Sequence, residues 1–350
     1  MTNVDEQLRR AASDGNLSGV IEALTNGADI NARGEYGDTA LNEAAEYGHI
    51  EVVKHLIESG ADIHNLGGAD KTPIMNAAFA GHVPIVRLLL EHGATINNDL
   101  LSSVQLKVNI LEENAEAGMV RSDAVDAWRG FLNFLIAARL KQDLPEIIEG
   151  LSSQYAAERK NALERVESAV NRGVDISAAV SRLAEMLSSE DAEVRGAASA
   201  ALSMHYARSQ TWDRLRELFE TGDEEVNLGA IPALVYSARD KLDVSPMIKT
   251  MINLLSESSL NLRHDAAIAL GYAATNGIDV SSALPEITRL LSDPQPEARK
   301  MAAWALYRIA KYICDISAAV PALRSLSEDE DEGVREMAAE ASRMNESREK

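Results

Sequence analysis

The stretch Ser258–Tyr272, SSLNLRHDAAIALGY, carries a pattern that returns along the second half of the chain: an apolar residue, an arginine and, shortly after, two alanines. The arginines of this pattern are Arg195, Arg263, Arg299 and Arg335, of which the last three are 36 residues apart. Counting back by 36 from Arg195 reaches Arg159. A period of this length is typical of stacked helical hairpins, so the pattern predicts a mainly α protein built as a helical-repeat solenoid.

A second, shorter period occupies the first third of the chain. Gly15, Gly48 and Gly81 are 33 residues apart, and pairs of alanines keep the same spacing. Thr39 and Thr72 stand where a side-chain hydroxyl can cap the first helix of a hairpin. Gly48 and Gly81 stand where that helix ends and the backbone needs a positive φ. The period predicts three helical hairpins in residues 1–97, the first of them acting as an N-terminal cap.

Segments 38–63, DTALNEAAEYGHIEVVKHLIESGADI, and 71–96, KTPIMNAAFAGHVPIVRLLLEHGATI, resemble ankyrin repeats. They match the family patterns T-P-L-H-x-A-A-x-x-G-H and L-L-x-x-G-A-D-x-N almost position by position. Ankyrin repeats bind partners through the hairpin tips and the exposed side of the first helix. The resemblance therefore implies a protein-binding role for the residues at those positions: Glu35, Tyr36, Asp38, Glu43, Glu46, Tyr47, Lys71, Asn76 and Phe79. Aromatic side chains tend to anchor interfaces, although these rings could instead pack against the neighbouring repeat.

The 33-residue pattern stops after Asn97. Residues 98–142 predict a pair of helices that closes the ankyrin array and joins it to the following one. In the second of these helices, Trp128, Phe131 and Phe134 form an aromatic stripe. A stripe at this spacing is more typical of core than of its alternative, a ligand patch.

Residues 143–350 are predicted to form about six hairpins, of which Ser281–Ala310 is the clearest. They resemble HEAT repeats of the short bacterial type, with the pattern D-x-x-x-V-R-x-x-A-A-x-A-L. The resemblance implies that each arginine bonds acidic turn residues of its own or the adjacent repeat, such as Asp191 or Asp293. Asn227 replaces the arginine in the third hairpin, whose period is 32. This irregular hairpin is predicted to make a specific contact, with Asn227 in the binding site.

The formal net charge of −21 argues against several partner classes. Binding to phosphates requires clustered lysine and arginine side chains, so we predict neither nucleic acid nor a membrane as a partner. A protein with a basic surface fits better. The single cysteine, Cys314, excludes an internal disulfide. Because no signal peptide or long apolar run is evident, we predict a cytoplasmic protein.

The chain carries no motif for catalysis. It has no Walker loop, no G-x-S-x-G elbow and no dinucleotide fingerprint, and its histidines lack metal-binding spacing. We therefore predict no catalytic residue, no metal and no cofactor, although grafted sites need no signature.

These features favour a non-enzymatic scaffold for protein–protein interaction, such as an inhibitor or immunity factor, that uses the concave solenoid surface. The alternative is a chromophore-handling protein, because short HEAT repeats of this kind also resemble phycobilisome lyase subunits. A helical-repeat DNA glycosylase needs a basic groove and is disfavoured by the acidity of the chain.

Overall fold

The computed structural model describes residues 3–348, and these residues form α-helices, short 3-10 turns and loops without a β-strand. The chain divides between Asp143 and Leu144 into two compact units, each described separately below. The mainly α fold with tandem helical arrays is as the sequence predicts. Among the described helices, none has the combination of length and apolar character that crossing a bilayer requires.

The first unit contains three antiparallel helix pairs followed by two longer helices. Residues 122–143 of α8 belong to this unit. The helices are α1 (Asn3–Ser13), α2 (Leu17–Thr25), α3 (Ala40–Tyr47), α4 (Ile50–Glu58), α5 (Pro73–Ala80), α6 (Val83–Glu91), α7 (Asn98–Glu116) and α8 (Ser122–Leu151).

The ends of α3 and α5 show why these short helices begin and end where they do. Thr39 caps α3, and the Asn42 side chain accepts a hydrogen bond from the Thr39 backbone N–H in return. Thr72 forms no side-chain cap, contrary to the prediction, and α5 begins instead with Pro73, whose fixed φ suits a first helical position. Gly48 and Gly81 end the two helices in the left-handed conformation, with φ of 85° and 82°.

The repeats of the first unit are joined by aromatic rings that lie against glycines. The His49 ring covers Gly15, and its Nε2 donates a hydrogen bond of 2.8 Å to the Ser13 carbonyl. The His82 ring covers Gly48 and donates one of 2.9 Å to the Glu46 carbonyl. A Cβ on Gly48 would lie 2.7 Å from the His82 ring. Glycine is therefore required at these positions by space as well as by φ.

Trp128 of α8 takes the place of the next histidine after the three helix pairs of the first unit. Its ring lies against Gly81, 3.3 Å from the position that a Cβ would occupy. Gln142 of the same helix donates to the Ala94 carbonyl at 2.7 Å and accepts from the Ile96 N–H at 3.1 Å. The aromatic stripe of α8 packs against the core of the first unit. The interpretation of the stripe as core therefore fits the structure better than its interpretation as a ligand patch.

The second unit consists of six antiparallel helix pairs. Residues 144–151 of α8 and α9 form the first pair. The remaining helices are α9 (Ala156–Asn171), α10 (Val180–Met186), α11 (Ala192–Arg208), α12 (Trp212–Phe219), α13 (Glu224–Arg239), α14 (Ile248–Leu254), α15 (Leu260–Thr275), α16 (Leu284–Leu290), α17 (Pro296–Tyr312), α18 (Val320–Ser325) and α19 (Glu332–Arg348).

The second helices of these pairs, α9, α11, α13, α15, α17 and α19, pack one on the next in chain order. Buried alanines such as Ala266 and Ala302 allow a close approach between them. One close contact joins α11 and α13, where a Cβ on Gly229 would lie 2.2 Å from the Gly196 carbonyl oxygen. No side chain fits at Gly229 without moving a helix.

Aspartates of the recurring Asp-x-Ser sequence fix the start of four pairs. Asp175, Asp243, Asp279 and Asp315 each accept a hydrogen bond from the backbone N–H two residues later. This N–H belongs to a 3-10 turn that precedes the α-helix. Each aspartate therefore binds the first N–H of a 3-10 turn from the position before the N-cap residue, whereas the sequence predicts that it caps the helix itself.

Candidate functional site

The residues predicted to bind a partner in the first unit differ in exposure. Tyr36 is 84% exposed and Tyr47 is 56% exposed. Glu35 and Glu46 are also exposed, whereas Asp38, Glu43, Lys71 and Phe79 are half-buried. We call these eight residues the ankyrin patch. Two large exposed rings are notable in a chain with only 4% aromatic residues.

The loop that carries Tyr36 is held by hydrogen bonds. The Gly34 N–H donates to the Asp38 carbonyl at 2.9 Å and closes the loop around Tyr36. Asp38 accepts from the backbone N–H of Gly68 in the next loop at 2.8 Å. Arg33 donates to the Gly37 carbonyl at 3.0 Å and to the Leu66 carbonyl. Tyr36 is thus presented on an ordered loop, which lowers the entropic cost of binding through it.

Glu43 lies among like charges. Its pKa is raised above the usual value, first by partial burial and then by the nearby carboxylates of Asp38 and Glu46. Arg9 and a hydrogen bond with Ser13 act in the opposite direction and do not outweigh these causes. The ankyrin patch therefore contains carboxylates whose negative charge is incompletely compensated within the protein, and a cation from a partner would stabilise it.

Lys71 and Phe79 form a second contact of the ankyrin patch. The Lys71 ammonium lies 5.1 Å from the centre of the Phe79 ring, in the geometry of a cation–π interaction. The Lys71 carbonyl accepts a hydrogen bond of 3.2 Å from the side-chain amide of Asn42. Phe79 also packs against the core of the first unit. This part of the patch is fixed by internal packing.

Two of the predicted binding residues do not lie on the surface. Asn76 is 5% exposed and Asn227 is 4% exposed. A partner cannot touch these side chains without displacing their neighbours, so we leave both out of the ankyrin patch. The Asn227 Oδ1 has no hydrogen-bond partner among the described residues. The sequence gives each residue its place in the repeat, but burial depends on the packing of the adjacent helices.

The recurring arginines of the second unit bond the turn of their own repeat. In each case Nη1 donates to the carbonyls of the residues six and five positions earlier. For Arg299 these are Asp293 at 2.9 Å and Pro294 at 3.1 Å. We call the set the arginine ladder: Arg159, Arg195, Arg263, Arg299 and Arg335.

Three arginines of the ladder also form ion pairs with an aspartate of the next repeat. Arg263 pairs with Asp293 in a two-bond contact of 2.7 and 3.1 Å. Arg299 pairs with Asp329 at 2.7 and 2.8 Å, with side chains that are 10% and 7% exposed. These bonds hold the pKa of Asp329 below its usual value and raise that of Arg299. The arginines are structural, as the resemblance implies, and Asp293 is a partner as expected.

The irregular third pair interrupts this regularity. Where later turns carry Asp293 and Asp329, this turn has Thr221. Arg195 reaches instead to Asp223 at 2.9 Å, the residue that caps α13. Asp191 caps α11 and accepts from the Glu193 N–H, so it is not an arginine partner of the kind predicted.

The geometry defines a helical-repeat protein with two different kinds of layer contact. Within the described residues, no group of three or more His, Cys, Asp or Glu side chains is arranged to hold a metal ion. Two family models match the chain. Residues 8–99 match the model of ankyrin repeats in three copies, and residues 248–343 match the model of HEAT repeats. The chain thus joins an ankyrin repeat segment to HEAT repeats.

A comparison with curated proteins gives no match. Ankyrin and HEAT repeats generally act as scaffolds for protein interaction and are typically non-catalytic. Neither family match names a chromophore-handling subtype, so that alternative stays a prediction.

Proposed function

We propose that this protein is a non-enzymatic interaction scaffold and that its ankyrin patch binds a protein partner with a basic surface. The observation that carries this proposal is the exposure of Tyr36 and Tyr47 beside incompletely compensated carboxylates. Exposed tyrosines supply a large contact area and a hydrogen-bonding group at low conformational cost.

The charge of the patch favours a basic partner. Burial raises the pKa of Glu43, and the nearby carboxylates of Asp38 and Glu46 raise it further. A lysine or arginine placed among them would lower the electrostatic energy of these carboxylates. The net charge of −21 would also accelerate association with a basic protein at low salt.

The test is to capture partners on the tagged full-length chain, identify them by mass spectrometry and measure the affinity of each with purified proteins. We expect Tyr36→Ala/Tyr47→Ala to weaken binding of the specific partner by about tenfold or more, because two anchoring rings are removed. Tyr155→Ala/Tyr312→Ala is the matched control, since these tyrosines are also exposed but lie in the second unit.

The outcome that contradicts the proposal is equal binding by wild type and the Tyr36/Tyr47 variant. A partner whose affinity rises with added salt would contradict the electrostatic part, because screening weakens attraction between opposite charges.

A further inference from the structure

Small side chains of α11, among them Ala197 and Ala200, line a depression in the surface of the second unit. Two adjoining cavities of about 450 and 300 Å³ lie along this helix and share Glu167 as a lining residue. The larger is bounded by α9, α11 and α13, and the smaller by α9 and α11. We call them together the α11 trough, with these principal lining residues: Ala197, Ala200 and Met204 from α11, Glu164 and Glu167 from α9, and Tyr236 from α13.

A difference between α11 and α17 at one repeat position accounts for the trough. Ala200 stands five residues after Arg195, and Trp304 stands five residues after Arg299. In α17 the Trp304 ring fills this space and packs against Gly271 and Tyr272. In α11 the alanine leaves the space open. The trough therefore follows from a difference in side-chain volume at one repeat position.

The positive charges along the trough are already engaged inside the protein. Lys160 pairs with Glu193 at 2.5 Å. Arg208 donates to the Asn171 carbonyl at 3.0 Å. Arg239 lies 4.8 Å from the centre of the Tyr236 ring and bonds Asp240 at 3.2 Å.

Two acidic side chains of the trough form no direct bond, and the nearby Lys160, which Glu164 attracts electrostatically, is already paired with Glu193. Glu164 and Glu167 are exposed, and neither carboxylate forms a hydrogen bond or ion pair with another described residue. They stand three residues apart on α9, so they face the same side of the helix. The charge that remains available to a ligand in the trough is therefore negative.

We propose that the α11 trough binds an extended basic segment of a protein partner. A lysine or arginine can lay its apolar stem against Met204 or Tyr236 while its charged end meets Glu167. Adjacent positions on one face of an extended chain are two residues apart, about 7 Å. Two glutamates one helical turn apart, about 5 Å, fit a basic-x-basic sequence. This inference concerns the second unit and is independent of the ankyrin patch.

The probe is a fluorescein-labelled peptide with Arg-Leu-Arg at its centre and Gly-Ser flanks, titrated with the full-length protein by fluorescence anisotropy. Counterparts with Glu-Leu-Glu and Gln-Leu-Gln test the charge requirement. We expect the arginine peptide to bind at low salt and the glutamate peptide not to bind.

Variants locate the site. Glu164→Lys/Glu167→Lys should weaken binding of the arginine peptide by about tenfold. Glu336→Lys/Glu340→Lys is the matched control because it makes the same charge change on exposed residues of α19, and Glu340 holds the repeat position of Glu164. It should change the affinity by less than about twofold. Ala200→Trp, which places in α11 the side chain found in α17, should also weaken binding by about tenfold.

Circular dichroism of every variant shows whether the helices are intact, and the exposed charge variants keep the test valid should Ala200→Trp fail to fold. The proposal is overturned by absence of arginine-peptide binding, by equal binding of the glutamate peptide, or by equal losses in the trough and α19 variants. The last result would show general attraction to an acidic protein. Because the tyrosine variants of the ankyrin patch leave the trough unchanged, the two proposals fail separately.

Discussion

The two units solve the same structural problem, the joining of one helical layer to the next, with different chemistry. In the first unit, His49 and His82 each lie over a glycine and donate a hydrogen bond to a backbone carbonyl. In the second, Arg263 and Arg299 each form a largely buried two-bond ion pair with an aspartate of the next repeat. Removing a single partner therefore has different consequences in the two units.

The difference lies in what a substitution leaves behind. Loss of a ring–carbonyl contact leaves a backbone carbonyl without one hydrogen bond, at a cost of about 1 kcal/mol. Loss of one member of a buried ion pair leaves the other charge without compensation, which typically costs about 3 kcal/mol or more. The arginine ladder is the more fragile of the two connections.

The largest expected effect is that of Arg299→Ala. It removes two carbonyl contacts and leaves the Asp329 carboxylate unpaired, so we expect the free energy of unfolding of the second unit to fall by about 3 kcal/mol. Hydrogen exchange with mass spectrometry on the full chain reports the two units separately.

Arg335→Ala is the control for this substitution. Arg335 makes the same two carbonyl contacts, with Asp329 and Glu330, but its side chain forms no ion pair with another described residue. We expect a loss of about 1 kcal/mol. Equal losses for both arginines would show that the ion pair adds nothing to the ladder.

The next effect concerns packing. Gly229→Ala would place a methyl group 2.2 Å from the Gly196 carbonyl oxygen, so α11 and α13 must separate. We expect a loss of about 2 kcal/mol in the second unit. Gly130→Ala in α8 is the control, because no atom lies within 4 Å of its added methyl group. There we expect a gain of about 0.5 kcal/mol from helix propensity. Urea denaturation followed by circular dichroism measures both, and an unchanged Gly229→Ala protein would refute the close approach.

A smaller effect is expected for the contact between a histidine ring and a backbone carbonyl in the first unit. His82→Ala removes the hydrogen bond to the Glu46 carbonyl and uncovers Gly48. We expect hydrogen exchange to show a loss of about 1 kcal/mol confined to the first unit. A loss as large as that of Arg299→Ala would remove the distinction between the two kinds of contact.

The smallest effect is a response to pH with opposite sign in the two units. The pKa of Asp329 is lowered in the folded protein, so its contribution is complete above the unfolded pKa of about 4 and is lost as pH falls through the folded value. The pKa of Glu43 is raised, so its contribution is complete below the unfolded value and is lost as pH rises through the folded one. Acidification should therefore weaken the second unit relative to the first.

Denaturation of each unit, followed by hydrogen exchange corrected for intrinsic rates between about pH 6 and about pH 3, measures this response. Glu43→Gln should stabilise the first unit by about 0.5 kcal/mol at neutral pH. Asp329→Asn should remove part of the acid sensitivity of the second unit. A first unit that is the more acid-sensitive of the two would contradict the assignment.

Much of the fold could be predicted because the repeat period reports local backbone requirements. Gly48 and Gly81 were identifiable from spacing alone, since a helix end with positive φ favours glycine wherever it recurs. Arg299 was recognisable as structural for the same reason. Thr72 shows the limit: its position in the repeat matches that of Thr39, yet its side chain makes no cap.

The candidate sites were less predictable because they depend on neighbours in space. Asn76 and Asn227 occupy positions that the repeat pattern leaves open to binding, but the adjacent helices bury them. The α11 trough requires the side-chain volumes of three helices to be compared side by side. One signal was present in the sequence, namely the replacement of Trp304 by Ala200 at the corresponding repeat position.

Trp128 also bears on how the ankyrin array could lengthen during evolution. Its ring contacts Gly81, which stands in the same repeat position as Gly15 and Gly48. Duplication of one 33-residue unit would present an equivalent glycine to Trp128. The helix α8 is thus compatible with ankyrin arrays of different lengths. Repeats can be gained or lost while the same helix closes the array.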